Sequence, residues 1–174
     1  CFEQASTANY PNVLSLDFLE THGIAQPEIT RRSRELLAQG YARLTGYESP
    51  TKGYEWFGGD PGHEALTAYG LMQFRDMARV YEVDQAMIKR TAEWLLARRD
   101  GRGGYQRNAK ALDSFGSAPQ DITDAYITWA LSESGQEGIE TEIKHAVAQA
   151  AKSDDPYLIA LAAAAALNGK QEAE

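Results

Sequence analysis

Cysteine is almost absent from this sequence, because Cys1 is the one thiol among 174 residues. One cysteine cannot close an internal disulfide, and it cannot supply a zinc site made of several thiolates. A zinc motif built on two histidines four residues apart also fails at His63, because position 67 is threonine. A lone cysteine is most often a small buried side chain or an inert thiol. Any chemical role for Cys1 must therefore come from its neighbours.

Basic residues are scarce relative to acidic ones. The chain carries 17 Lys and Arg against 25 Asp and Glu, so its formal net charge is -8 and its isoelectric point is about 4.9. The arginines concentrate at 31–34 and 98–107, and acidic side chains lie in or beside both groups. A nucleic-acid-binding surface needs a cationic footprint that displaces counterions from phosphates. The charge balance therefore argues against a nucleic-acid partner.

Long apolar runs and prolines are also few. The longest apolar run, at 157–167, has eleven residues and is mostly alanine, whereas a helix that spans a bilayer needs about 20. This run predicts a buried helix and no insertion into a membrane. Six prolines and no low-complexity tract argue against disorder. Because the length suits one hydrophobic core, we expect residues 1–174 to form a single domain.

Apolar residues at helical spacing are abundant. They recur three, four and seven residues apart in seven segments, and no segment shows the sustained alternation of a half-buried strand. Two loops rich in glycine and aromatic residues interrupt the pattern, at 47–62 and 100–119. The sequence therefore predicts an all-α fold, with helices at 11–20, 27–44, 63–82, 84–98, 120–134, 139–152 and 156–168.

Three of the predicted helices share a short, weakly similar segment, called here the tyrosine echo. Each places a tyrosine in its opening turns, within the segments 65–69, 123–126 and 156–160. Helical hairpins that repeat in this way stack into arrays or close into toroids. Chance similarity between amphipathic helices is the competing interpretation.

The first four residues, Cys1-Phe2-Glu3-Gln4, contain the strongest chemical signal. Residues three apart lie on one face of a helical turn, so a thiol and a carboxamide at these positions can meet and condense to an internal thioester. The acyl carbon of a thioester is a strong electrophile, since thiolate is a good leaving group with a pKa of about 8.5. An amine, a hydroxyl or water would then bond to the Gln4 carbonyl and free the Cys1 thiol. On these four residues alone, an incidental cysteine at a frayed terminus is the competing interpretation.

Four segments, spread over nearly the whole chain, carry a wider resemblance. They are CFEQASTANYPN at 1–12, GHEALTAYGL at 62–71, DITDAYITWAL at 121–131 and DDPYLIAL at 154–161. In this order they resemble the thioester domain of alpha-2-macroglobulins and complement components. Phe2 stands where vertebrate members of this family commonly have a small residue. This departure suits the more variable bacterial branch, the alpha-2-macroglobulin-like proteins.

The resemblance implies both a fold and a site. The fold is an α/α toroid of paired helices, of which this chain is an N-terminal portion. The site is the Cys1–Gln4 thioester near one end of the barrel. Tyr54, Trp56 and Phe57 resemble aromatic residues near the thioester of the family, where they could exclude water. Ordinary core packing is the competing interpretation.

A helper residue in the family decides which nucleophile attacks the thioester. It lies in a loop after a Gly-x-aromatic turn, and counting from the turn at 103–105 places Asp113 at this position. A loop or capping carboxylate is the competing interpretation of Asp113. Histidine at this position favours hydroxyls, because it acts first as nucleophile and then as base. No histidine lies between His63 and His145, so we expect a preference for amines.

The function that the resemblance implies is covalent trapping of proteases and not enzymatic turnover. In the family, a protease cleaves a bait region elsewhere in the parent chain and exposes the thioester to its own lysines. The implied partners are target proteases and the remaining domains of the parent protein, with no cofactor. The bond forms once per molecule and is not regenerated. Bacterial members work in the periplasm or at the cell envelope, so we expect that location here.

Three other functions stay open from the sequence. An enzyme with Cys1 as an N-terminal nucleophile would use its own α-amino group as base, but such enzymes are built on stacked sheets. A toroid-shaped carbohydrate-active enzyme would need paired carboxylates, for which the candidates are Asp60, Glu64 and Asp113. A lipoprotein would begin with an acylated Cys1 and a flexible linker, whereas a helical pattern starts here near residue 11.

Overall fold

The computed structural model describes residues 1–108 and 118–171, within which the chain forms seven α-helices. In place of strands, this described part has two isolated antiparallel bridges, between Glu48 and Tyr54 and between Arg99 and Tyr105. The all-α prediction is confirmed. None of the described helices has the length and apolar character needed to cross a bilayer. The helices are α1 (Phe2–Thr21), α2 (Pro27–Thr45), α3 (Glu64–Met77), α4 (Gln85–Ala97), α5 (Gln120–Glu133), α6 (Glu140–Ala150) and α7 (Pro156–Gln171).

The first helix begins well before the predicted residue 11. It starts at Phe2 and contains Pro11 in its interior, although a proline there removes one backbone hydrogen bond. The predicted start was wrong because two buried positions on this helix, Ser6 and Asn9, are polar and resemble loop residues in the sequence. Together with Phe2 and Val13 they form a buried face at helical spacing. Residues 2–4 therefore open a helix whose N-cap is Cys1, and they do not lie in a preceding loop.

The third helix ends earlier than predicted, at Met77 and not at residue 82. Val80 and Val83 are buried in the segment between α3 and α4, so the apolar spacing continues after the backbone has left the helix. Asp84 then caps α4, because its side chain accepts a hydrogen bond from the Ala86 N–H at 2.9 Å. The remaining helix boundaries differ from the predictions by three residues or fewer.

The helices pack in two rows. In the first row α1, α3, α5 and α7 follow one another as neighbours. In the second row α2 packs on α1, α4 packs on α3, and α6 packs on both α5 and α7. Because the chain alternates between the rows, each hairpin lies beside the next, which is the arrangement of an α/α toroid.

Two hydrophobic clusters hold the rows together. The larger cluster extends from α1 to α5, and its fully buried side chains include Phe2, Leu71 and Phe74. The smaller cluster joins α5, α6 and α7 and contains alanines such as Ala146 and Ala162. Each fully buried Leu or Phe contributes about 1.5–3 kcal/mol by leaving water. Through Phe2, the first turn of α1 belongs to the larger cluster.

In two of the three helices that share the tyrosine segment, α3 and α5, the segment belongs to a repeated local structure. Before α3, the Tyr54 N–H donates to Thr67 Oγ1 at 2.8 Å; before α5, the Tyr105 N–H donates to Asp124 Oδ1 at 3.0 Å. Thr67 and Asp124 each stand two residues before the echo tyrosine of their helix. Each loop thus folds back onto the first turns of the helix that follows it. In the first loop, this places the residues after Tyr54 beside the start of α1.

Candidate thioester site

Cys1 and Gln4 approach each other across the first turn of α1. Cys1 Sγ lies 3.4 Å from Gln4 Oε1, and the Cys1 nitrogen donates to the same oxygen at 3.2 Å. Cys1 is the N-cap residue and is partly buried, whereas Gln4 is exposed. The fold therefore brings together the two side chains that the sequence motif singled out.

This arrangement contains the atoms that a thioester needs. Attack of the Cys1 sulfur on the carboxamide carbon of Gln4 forms a C–S bond and breaks the C–N bond. The amide nitrogen leaves as ammonia and takes the thiol proton with it. Because both groups stand on one helical turn, the step is intramolecular and has no cost for bringing two molecules together.

Phe2 anchors the candidate reactive turn, which is formed by residues 1–4, to the core. Its side chain is fully buried, and its ring centroid lies 5.1 Å from that of Tyr54 and 6.0 Å from that of Tyr47. A Cβ atom added at Gly70 of α3 would lie 3.0 Å from Phe2 Cζ, so a glycine at this position gives the ring its space. Phe2 is thus a structural anchor of the first turn of α1.

Trp56 makes two hydrogen bonds to the same turn. The Phe2 N–H donates to the Trp56 carbonyl at 2.8 Å, and the Trp56 indole Nε1–H donates to Glu3 Oε2 at 3.2 Å. On its other side the indole meets the His63 ring edge-on, with the centroids 4.8 Å apart. His63 Nδ1 accepts the Leu66 N–H at 3.2 Å and caps α3. Trp56 therefore connects the start of α1 with the start of α3.

The three aromatic residues predicted to shield the thioester lie in different environments. Tyr54 is fully buried beneath Phe2, and burial raises the pKa of its hydroxyl well above the ordinary value. Trp56 is partly buried, whereas Phe57 is 70% exposed. Tyr54 thus supports the turn from within the core, and the exclusion of water by the three side chains stays a prediction.

A cavity of about 290 Å³ lies beside the reactive turn. Its walls include Glu3, Thr7 and Trp56 together with Tyr69 of α3 and Tyr126 of α5. Burial raises the pKa of Tyr69, and the negative charge of Glu3 raises it further. The first row of helices thus presents two tyrosine rings and the Glu3 carboxylate to this cavity.

The two described carboxylates considered for sugar cleavage have structural partners. Glu64 is only 2% exposed; its Oε1 accepts from Arg98 Nε at 2.9 Å and its Oε2 from the Asn108 N–H at 3.2 Å. Asp60 Oδ1 accepts from the Thr51 hydroxyl at 2.7 Å, and this bond holds the pKa of Asp60 below its ordinary value. Both carboxylates therefore fix the backbone and side chains around them.

The predicted helper, Asp113, lies outside the described residues, so its role stays a prediction. Among the residues that the structure does describe, no group of three or more His, Cys, Asp or Glu side chains is placed to hold a metal ion. His63, whose ring contacts Trp56, caps α3 by accepting the Leu66 N–H at its Nδ1.

Comparison with known proteins identifies the family. The sequence model of the A-macroglobulin TED domain matches residues 1–174. This chain therefore belongs to the A-macroglobulin TED domain family, whose domain forms the thioester in alpha-2-macroglobulins. Ovostatin of Gallus gallus, an alpha-2-macroglobulin family member, is 28% identical over 149 residues. The match covers 83% of this chain and 10% of ovostatin, so the chain spans about a tenth of the length of this relative.

Two residues of the site, Glu3 and Gly70, were not singled out from the sequence. Glu3 lies within the motif, but its partner Trp56 is far away in the chain and only the fold reveals the contact. Gly70 had a weak signal, because a glycine inside a predicted helix lowers helix stability and often has a packing reason. That reason is the ring of Phe2.

Proposed function

We propose that this domain captures target molecules covalently through a Cys1–Gln4 thioester, as part of a protease-trapping protein of the alpha-2-macroglobulin type. The observation that carries the proposal is the 3.4 Å distance between Cys1 Sγ and Gln4 Oε1. Membership of the TED family supports this chemistry. Each domain makes one bond and does not regenerate the thioester, so it is a single-turnover trap and not an enzyme.

Capture moves the Gln4 acyl group from sulfur to a nucleophile. A lysine amine adds to the acyl carbon, a C–N bond forms, and the C–S bond breaks. The electron pair of the broken bond goes to the Cys1 sulfur, which takes up the proton that the amine loses. The products are an amide at Gln4 and a free thiol, and the step proceeds because thiolate is a good leaving group.

The intact mass of the chain tests the proposal. A thioester makes the chain lighter by one ammonia, and treatment with methylamine replaces the thioester by an amide and releases one titratable thiol. Cys1→Ser and Gln4→Glu variants are the controls, because the serine variant has no thiol to release and the glutamate variant has no side-chain ammonia to lose. A wild-type chain of unmodified mass, with its thiol already titratable, would count against the proposal.

We expect amines to be captured in preference to hydroxyls. The route to hydroxyls uses a histidine first as nucleophile and then as base, and our candidate helper, Asp113, cannot form an acyl-imidazole. Incubation of the thioester form with equal concentrations of methylamine and glycerol should yield mainly the methylamine adduct. A predominance of the glycerol ester would contradict this expectation, and an Asp113→His variant should shift the products towards the ester.

The biological setting is a further part of the proposal. Target proteases that react through surface lysines, and the remaining domains of the parent chain, are the partners that the family implies. A bacterial source and a location in the periplasm or at the cell envelope come from the sequence resemblance. A parent chain that forms denaturant-resistant adducts with an added protease, but not with a protease whose lysines are methylated, would support this setting.

The alternative functions have less support. A hydrolase with Cys1 as N-terminal nucleophile is expected on stacked sheets, whereas the described residues form helices and isolated bridges. Of the three carboxylates that a toroid-shaped carbohydrate-active enzyme could use, Glu64 is paired with Arg98, Asp60 accepts from Thr51, and Asp113 lies outside the described residues. Sugar turnover that survives the loss of Cys1 would revive the second alternative.

A further inference from the structure

We infer that Glu3 is a positioning residue: through Trp56 it holds the reactive turn in the geometry from which Cys1 and Gln4 join. The inference rests on the proposed thioester function and adds a residue to it. Its basis is that Trp56 contacts the two residues that lie between Cys1 and Gln4. The Trp56 carbonyl accepts from the Phe2 N–H, and its indole donates to the Glu3 carboxylate.

The backbone contact satisfies a group that α1 itself cannot pair. The first four N–H groups of a helix have no intrahelical acceptor, and the Phe2 N–H is one of these. Its bond to the Trp56 carbonyl, at 2.8 Å, fixes the backbone at the beginning of the turn. The backbone of residue 56 must therefore stay in place for the turn to keep its shape.

Two contacts hold the indole side chain of Trp56. Glu3 Oε2 accepts the Nε1–H at 3.2 Å, and the His63 ring meets the indole at a centroid distance of 4.8 Å. Since His63 caps α3, this side of the indole is tied to a rigid element. Glu3 is exposed and supplies the polar contact on the side of α1. Loss of this acceptor frees the indole on the side that faces the reactive turn.

Glu3 has a second effect that an experiment must separate from the first. A carboxylate in the first turn of a helix is favourable because it faces the positive end of the helix dipole. Glu3→Gln removes this charge but keeps an oxygen that can accept from the indole. Glu3→Ala removes both, and Trp56→Phe keeps an aromatic ring but removes the donor. The variants therefore distinguish positioning from helix electrostatics.

The first measurement is the rate at which the refolded 174-residue chain becomes lighter by one ammonia. We expect Glu3→Ala and Trp56→Phe each to slow this step about fivefold, which corresponds to the loss of one hydrogen bond of ordinary strength. Glu3→Gln should stay close to the wild type. The double variant Glu3→Ala/Trp56→Phe should be no slower than either single variant, because both changes remove the same contact.

The second measurement is hydrogen exchange of the Trp56 indole N–H by NMR, with the resonance assigned from its absence in Trp56→Phe. Exchange should be faster in Glu3→Ala than in the wild type and unchanged in Glu3→Gln. Equal exchange in all three proteins would overturn the inference. So would a formation rate in Glu3→Gln as slow as in Glu3→Ala, or additive losses in the double variant.

The two measurements separate the inference from the proposed function. If the wild-type chain never loses ammonia, the proposed function fails for this chain, and alkylation of Cys1 by iodoacetamide replaces the first measurement. If the contact between Glu3 and Trp56 orders the turn, its loss exposes the Cys1 thiol more often. Alkylation should then be faster in Glu3→Ala and Trp56→Phe than in the wild type and Glu3→Gln. The same alkylation rate in all four proteins would show that Glu3 does not position the turn.

Discussion

Replacing Phe2 by alanine tests whether the reactive turn depends on the core. Phe2 is fully buried, packs against Tyr54 and Tyr47, and fills the space above Gly70. Truncation of a buried phenylalanine to alanine removes its transfer free energy and leaves a cavity, at a cost of about 3–5 kcal/mol. A domain of this kind is stabilised by about 5–15 kcal/mol in total. We therefore expect Phe2→Ala to remove a large part of the free energy of unfolding.

Urea denaturation followed by far-ultraviolet circular dichroism measures this cost. With a denaturant dependence of about 2 kcal/mol per M, the expected loss moves the midpoint down by roughly 2 M. Phe57→Ala is the matched control, because Phe57 is 70% exposed and lies in the same loop region as Tyr54. This control should change the free energy of unfolding by about 0.5 kcal/mol or less. Similar losses for both variants would refute the argument that Phe2 anchors the turn.

Thioester formation gives a second readout of the same change. In urea-free buffer a Phe2→Ala chain that remains folded should form the Cys1–Gln4 bond more slowly, because the turn has lost its attachment to the core. Phe2→Leu keeps most of the buried apolar volume and should lie between the alanine variant and the wild type. Unchanged bond formation in a folded Phe2→Ala chain would show that local helix geometry suffices.

Two further predictions concern the elements around the site. Gly62→Ala should lower the free energy of unfolding, measured by urea titration, by about 1–3 kcal/mol, because the new Cβ would lie 2.6 Å from the Gly53 backbone. Gly59→Ala is the control and should be near neutral, because its Cβ would meet only the Glu55 carboxylate, at 3.6 Å. Burial raises the pKa of the Asp124 carboxyl above its ordinary 3.8, so the folded chain binds this proton more tightly than the unfolded chain does. The resulting stabilisation is fully present below the ordinary pKa and is lost as pH rises through the raised pKa. Asp124→Asn should flatten this part of the pH–stability curve, and an unchanged curve would contradict the assignment.

Much of the helical architecture could be predicted from apolar spacing. The start of α2 at Pro27 and the start of α5 at residue 120 agree with the sequence patterns to the residue, because proline and polar residues mark those helix starts. The start of α1 could not be predicted, since a face that buries Ser6 and Asn9 does not look apolar. The end of α3 was missed for the opposite reason: Val80 and Val83 are buried outside the helix.

The candidate site also has a part that local spacing could predict and a part that it could not. Cys1 and Gln4 could be predicted because their chemistry depends on a spacing of three residues, which the helix converts into contact within one turn. The contacts of that turn with Trp56, with the rings beneath Phe2 and with Gly70 join residues distant in the chain. Local spacing carries no information about such pairs.

The sequence by itself determined the helical class and the family, and it proposed Cys1 and Gln4 as the reactive pair, because each depends on local spacing or on short segments in a fixed order. Only the tertiary structure decided how the reactive turn is held. It placed Glu3 on the indole of Trp56, buried Phe2 above Gly70, and paired Glu64 with Arg98. The physical reason is that packing and hydrogen bonding depend on distance in space, and the two rows of helices set those distances.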